Sequence, residues 1–282
     1  MGKKLKITLW IIGIIILLIL ITGIYLFRPL GVDPAKVTVQ FGDVFVDTGN
    51  GYEKITSVTT LKETDSIKTE NGSATIILYE SVFQTLDPYS EITIKELTRN
   101  NPKTIQKAGT TWTKFTALSG VETFETDTPN GVAIARGTGY EIQPSQILVL
   151  EGTVEAQIGG KTILIADGEA YSQVDGAWNK RPLTVEEKER LSQRVEINIK
   201  NLQELRLSLK DKYKQPYNLA KKIKNFSDDD LVYIFADIDS GEINIDAELE
   251  KFPIKHELFT RVADISKQIL TEKEILEQLS TT

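Results

Sequence analysis

Between Lys36 and Trp178 the chain is written in short runs that alternate apolar and polar residues, a period of two that a pleated strand satisfies and a helix does not. The runs are Val37–Phe41, Val44–Val46, Ala74–Tyr79, Glu91–Lys95, Ile147–Leu150, Val154–Ile158 and Lys161–Ile165. They are rich in Thr, Ile and Val, which fit a half-buried pleated surface. Turn residues separate them at Gly49-Asn50-Gly51, Asn71-Gly72, Asp87-Pro88, Gly159-Gly160 and Asp167-Gly168. Gly159 and Gly160 give the strongest hairpin signal, because glycine tolerates the positive φ of a tight two-residue turn. Many short strands at this spacing predict a mainly β fold, an antiparallel β-sandwich or a short β-solenoid. The pattern T-x-N-G-x-A occurs at Thr69–Ala74 and again at Thr128–Ala133. It reads either as a two-part repeat or as two uses of a common Asn-Gly turn.

The first segment has a different character. From Ile7 to Phe27 only Thr8 and Thr22 are plainly polar, and about 20 apolar residues suffice to cross a bilayer as a helix. Lys3, Lys4 and Lys6 precede the run and Arg28 alone follows closely, which predicts a cytoplasmic N-terminus and an extracytoplasmic remainder. A cleaved signal peptide is the competing reading. The run exceeds the usual h-region of roughly 7–15 residues, and Ile24–Arg28 offers bulky residues where a cleavage site needs small ones.

Beyond Pro182 the composition turns helical. Thr184 and Glu187 form a capping box, and Leu191, Val195, Ile199, Leu202, Leu205, Leu209 and Tyr213 then recur at three- and four-residue steps. Gln215 and Pro216 predict its end. Ser227–Asp230 starts a second helix that stops at Ser240 and Gly241. A third is expected from about Lys255 to Leu270, and Thr271–Glu274 caps a short last one.

Composition then excludes functions. The chain has 282 residues, 33 Lys and Arg against 40 Asp and Glu, one His and no Cys. A net charge of −7 argues against nucleic-acid binding, which needs clustered positive charge. Without cysteine there is no thiolate nucleophile, disulfide or thiolate metal site. Asp228, Asp229 and Asp230 read as residues favoured by a helix dipole rather than as a metal cluster, and Asp237–Gly241 is out of register with a calcium loop. His256 has no nucleophile motif to serve and reads as a surface residue. Trp112, Tyr140 and Trp178 read as core, with a sugar-binding face as the alternative. No nucleophile elbow, phosphate loop or paired-carboxylate signature is present, so no catalytic residue, cofactor or metal is expected. Asn71 and Asn225 stand in N-x-S sequons, which read as a turn and a helix cap unless the source glycosylates them.

The β segment resembles the FecR-like domain over roughly residues 37–180. The first half carries Gly42-Asp43-Val44, Leu61, Asp65, Ile67, Thr69, Gly72, Ser73 and Ala74, then Pro88, Ser90 and Ile92. The second half carries Phe124, Thr128, Pro129, Ala133, Arg136, Gly137, Thr138 and Tyr140, then Val149, Gly152, Val154, Ala166 and Gly168. Thr64 stands where the family usually has glycine, and Tyr79-Glu80-Ser81 replaces its D-G-S turn. The resemblance makes Thr128, Pro129, Arg136, Gly137, Thr138, Gly152 and Gly168 the family-motif positions, structural or partner-binding. Arg136 in particular reads as a strand residue paired at a sheet edge, with a ligand-binding cation as the alternative.

These readings give a cytoplasmic tail over 1–6, a transmembrane helix over 7–27, a linker over 28–36, a FecR-like β domain over 37–182 and an all-α C-terminal domain over 183–282. The expected function is a membrane-anchored, single-pass extracytoplasmic module for protein recognition or envelope scaffolding, with an extracytoplasmic protein or a second copy of the chain as partner. A transmembrane regulator of the sigma-factor type is the alternative that the resemblance implies, although six cytoplasmic residues are too few to fold around a partner. An envelope-polymer hydrolase is the third reading.

Overall fold

The computed structural model describes residues 31–116, 118–251 and 256–280. The strands begin with β1 (Ala35–Phe41), β2 (Val44–Asp47), β3 (Tyr52–Ile55), β4 (Thr59–Thr60), β5 (Ser66–Thr69) and β6 (Ser73–Leu78). They continue with β7 (Val82–Leu86), β8 (Glu91–Glu96), β9 (Lys103–Ala108), β10 (Thr111–Phe115), β11 (Phe124–Thr128) and β12 (Gly131–Ala135). The last are β13 (Gly139–Gln143), β14 (Gln146–Glu151), β15 (Thr153–Ile158), β16 (Lys161–Ala166), β17 (Glu169–Val174) and β18 (Ala177–Pro182). They form two nine-stranded sheets, ordered β18-β17-β14-β13-β10-β7-β6-β1-β4 and β16-β15-β12-β11-β9-β8-β5-β2-β3.

From β6 onward the chain lays down hairpins in alternate sheets, so both sheets grow in the same direction along the sequence. This combines the two expected architectures, a sandwich in its layers and a solenoid in its progression. The antiparallel pairing of the expected sandwich is broken at one place, because β9 and β11 run parallel, with Lys103, Thr104 and Ile105 opposite Glu125, Thr126 and Asp127. The reason is topological. Between them β10 crosses alone to the other sheet, so the chain re-enters the second sheet in its former direction. The glycine hairpin forms as its residues require: Ile158 pairs with Lys161, and Gly159 and Gly160 take φ of +57° and +75°.

The common core joins Val37, Ile76, Val82, Tyr140 and Val149 of the first sheet to Val44, Ile67, Ile92, Phe124, Ala133 and Val154 of the second. Each fully buried large apolar side chain contributes about 1.5–3 kcal/mol over exposure. The second sheet alternates buried and half-buried or exposed residues, as in β8 and β15. In β6, β7 and β10 of the first sheet every residue is buried. The difference arises because the start of the first helix covers the outer face of that sheet, packing Leu183 and Leu191 on Trp112, Leu148 and Ala170.

The helices are α1 (Val185–Lys212), α2 (Lys214–Lys224), α3 (Asp228–Asp239), α4 (Ile245–Glu250) and α5 (Glu257–Ser280). The Thr184 box forms, with Thr184 Oγ1 accepting from Glu187 N–H at 3.2 Å and Glu187 Oε2 from Thr184 N–H at 2.9 Å. All seven residues of the expected apolar stripe are buried, from Leu191 to Leu209 within α1 and Tyr213 just past its end. Ser227 caps α3 through a reciprocal box with Asp230. The helices depart from expectation in two places. α1 ends at Lys212, close to the expected stop, but a separate helix that was not expected, α2, follows at once and carries Pro216 in its first turn, where the missing N–H removes no helical bond. Thr271 lies inside α5, which runs unbroken to Ser280.

The described residues divide into two compact units, one within 32–202 and 271–280 and the other within 203–270. The composition thus changes at Pro182, and the packing at Leu202. The expected membrane-spanning helix at 7–27 lies outside the described residues. No helix among the described residues is long and apolar enough to cross a membrane. Helices α1 and α5 carry apolar residues on one stripe and charges elsewhere, the pattern of helices that pack on protein. The fold class is corrected accordingly, to a β-rich fold with a C-terminal helical region and no membrane-spanning helix in the described chain.

Candidate functional site

The family-motif positions fall at three places in the β unit. Thr128 closes the β11–β12 hairpin: its Oγ1 donates to Gly131 O at 2.9 Å and accepts from Gly131 N–H at 3.1 Å, with Pro129 exposed at the tip. Gly137, Thr138 and Gly152 meet at the opposite end. Gly152 has φ +77°, and a Cβ there would lie 2.7 Å from both Gly137 O and Thr138 Cγ2, so only glycine fits. Arg136 beside them is exposed, while Thr138 is fully buried and its carbonyl accepts from Phe115 N–H at 2.8 Å. Gly168 turns β16 into β17, with its N–H donated to Val149 O and its carbonyl accepting from Leu183 N–H. These residues shape turns and do not converge on one cleft.

The T-x-N-G-x-A echo has different roles in its two copies. Thr128 sits in a hairpin within one sheet, whereas Thr69 Oγ1 donates to Asp87 O at 2.6 Å beside a crossing between sheets. Asn71 is exposed in that crossing. Asn225 takes the left-handed conformation that caps α2, with its N–H donated to Lys221 O. Trp112 and Tyr140 are buried, and Trp178 packs against the core and stacks on Tyr171 at 5.2 Å, as their reading as core residues expects. Burial pushes the Tyr140 phenol up to about 12. His256, expected at the surface, is half-buried. Its Nδ1 accepts from Leu258 N–H at 3.0 Å at the start of α5, and its ring meets Tyr213 edge-on.

The helical unit contains what the sequence did not reveal. Helices α1 to α5 surround an apolar cleft of about 350 Å³, walled by Leu209, Tyr217, Ala220, Phe226, Leu231, Phe235, Ile238, Leu249, Leu258 and Val262. That volume falls in the range of ligand clefts, roughly 300–1,000 Å³. Arg206, Lys210, Lys224 and Glu248 are the charged residues lining it. On α3, Val232 and Tyr233 are 61% and 72% exposed. The wall from α2 was hidden because Pro216 read as a stop, although Tyr217 and Ala220 stand at helical spacing.

Arg206, which lines the cleft, is held in a buried ion pair. Arg206 Nη1 donates to Asp239 Oδ1 at 2.6 Å and Nη2 to Oδ2 at 2.8 Å, while Nη1 also reaches Ser266 Oγ at 2.8 Å. Gln203 donates to the same carboxylate, and the guanidinium lies 4.1 Å from the Phe235 ring centroid. Tyr217 Oη donates to Asp228 Oδ1 at 2.8 Å; burial first, and then the neighbouring carboxylate, push its phenol well above the ordinary range. Among the described residues no group of three or more His, Cys, Asp and Glu is placed to hold a metal ion.

No family model and no curated protein matches the chain. Two crystal structures of a candidate anti-sigma factor from Parabacteroides distasonis align with it, each with a TM-score of 0.37 and 12% identity over 42% of this chain. The alignment spans 59% of that protein's length. At that similarity neither fold nor function transfers.

Proposed function

We propose that this chain is a non-catalytic recognition protein, in which the two-sheet module is the scaffold and the cleft of the helical unit receives an apolar helical segment of an extracytoplasmic partner protein. The observation that carries this reading is the cleft itself, an apolar groove left open in a small helical unit whose neighbouring α3 also exposes Val232 and Tyr233. Three cations among the four charged lining residues, together with Lys221 and Lys222 at the same end of α2, favour a segment flanked by carboxylates. The FecR-like resemblance of residues 37–180 supports an extracytoplasmic recognition role.

The test places a photoreactive residue at Tyr233 and compares the unchanged cleft with Ala220→Trp, which fills it. The reading expects a protein crosslinked through an apolar segment and lost in Ala220→Trp, with the thermal midpoint retained. Equal capture in both forms would overturn it. So would native mass spectrometry showing a retained acyl chain that Ala220→Trp displaces.

A further inference from the structure

A second cleft, in the β unit, is lined by different chemistry. Its volume is about 380 Å³, and Lys68, Asn71, Tyr89, Ser90 and Glu91 contribute to its walls. Tyr89 is the anomaly. It sits in the crossing from β7 to β8 with φ +61°, a left-handed conformation that side chains other than Asn and Asp rarely adopt. Tyr79 is also left-handed, but it is buried and its Oη donates to Leu97 O, so packing holds it there. Tyr89 is 72% exposed, and its ring adds nothing to the core.

The turn that presents the ring is tied by hydrogen bonds on both sides. Tyr89 N–H donates to Glu70 O at 2.8 Å, Ser90 N–H to Thr69 Oγ1 at 2.9 Å, and Ser90 Oγ to Thr110 O at 3.0 Å. Beside it, Glu91 Oε1 accepts from Tyr52 Oη at 3.0 Å and Lys107 Nζ at 2.9 Å. Burial pushes the Glu91 carboxyl up, but these two hydrogen bonds and the Lys107 and Lys68 charges outweigh it, leaving the group below its ordinary value and ionised at neutral pH. Lys68 is the cross-strand partner of Glu91.

A flat apolar ring on a hydrogen-bonded turn, in a cleft lined also by an amide, an ammonium and the carboxylates of Glu70 and Glu91, is matched by a ligand with one apolar face and an edge of hydroxyls. The mixed charges disfavour an anion. We propose that this cleft is a subsite for a neutral saccharide, with Tyr89 stacking on the sugar face and Asn71 and Glu91 hydrogen-bonding its hydroxyls.

The test titrates the full chain with cellotetraose, chitotetraose and maltotetraose by calorimetry, in the unchanged protein, Tyr89→Gly and Tyr89→Trp. Tyr89→Gly suits the backbone and removes only the ring, so its thermal midpoint should be equal or higher. The expected result is saturable binding of at least one probe, weakened on the order of tenfold in Tyr89→Gly and restored in Tyr89→Trp. Binding of none of the three, or binding indifferent to Tyr89→Gly, would overturn the proposal.

Discussion

Glu272, fully buried near the end of α5, holds the equally buried Lys114 of β10 at 2.6 Å, and Glu151 pairs with the same ammonium. The contact ties the last turns of the chain to the outer face of the first sheet. Removing one partner of a buried pair strands the other charge, which costs about 3–5 kcal/mol, whereas an apolar replacement of both is far milder. Glu272→Ala leaves Lys114 with the partly exposed Glu151 as its partner, so it is expected to lower the unfolding free energy by less than that, about 1.5–3 kcal/mol, the worth of a hydrogen bond to a charged group. Adding Lys114→Met should recover part of it, as measured by denaturant unfolding of the single and double variants. Independent, additive losses would show that the pair is not coupled.

The α1 start gives a pH-dependent prediction. The Arg181 hydrogen bond, opposed by burial and helped by Thr184 N–H, lowers the Glu187 carboxyl below its ordinary 4.5. A depressed carboxylate contributes stability that is fully present above the unfolded value and is lost as pH falls through the folded one. Glu187→Gln should therefore destabilise at pH 7 by about 1 kcal/mol, kept small because Arg181 is 34% exposed. The same variant should flatten the stability profile below about pH 4.5. Unfolding midpoints collected from pH 7 to pH 3 check this, and an unchanged acid limb would contradict it.

What was legible in the sequence was whatever local periodicity encodes. The strand runs, the Gly159-Gly160 hairpin, the Thr184 and Ser227 caps and the seven-residue stripe from Leu191 to Tyr213 each follow from neighbours a few positions apart. Thr64, Tyr79 and Glu80 take left-handed φ of +74°, +50° and +54°, which no local sequence pattern announces. Pairing between distant segments was not legible. The parallel β9–β11 contact depends on where β10 goes, and the cleft needs five helices at once. The ionic partners of Lys114 and Arg206 lie far away in sequence, and no spacing rule announces them. Tyr89 escaped notice because an exposed tyrosine after proline is unremarkable until its φ is known.

The Arg206 and Asp239 pair is the sharpest probe of whether the cleft is a built feature. Arg206 and Asp239 are 2% and 5% exposed, and the planar guanidinium satisfies both carboxylate oxygens and Ser266 while covering the Phe235 ring. A lysine keeps the charge but offers a single ammonium, which cannot reproduce the fork or the flat face. Arg206→Lys is thus expected to destabilise the helical unit by about 1.5–3 kcal/mol, the worth of a hydrogen bond to a charged group. Asp239→Asn, which leaves the guanidinium buried without its counter-charge, should cost more than Arg206→Lys. Hydrogen exchange resolved by residue separates the outcomes, because protection should fall on α3 and on α5 around Ser266 while the β11–β12 hairpin keeps its own. Uniform loss across both units would mean that the pair supports the whole chain rather than the cleft.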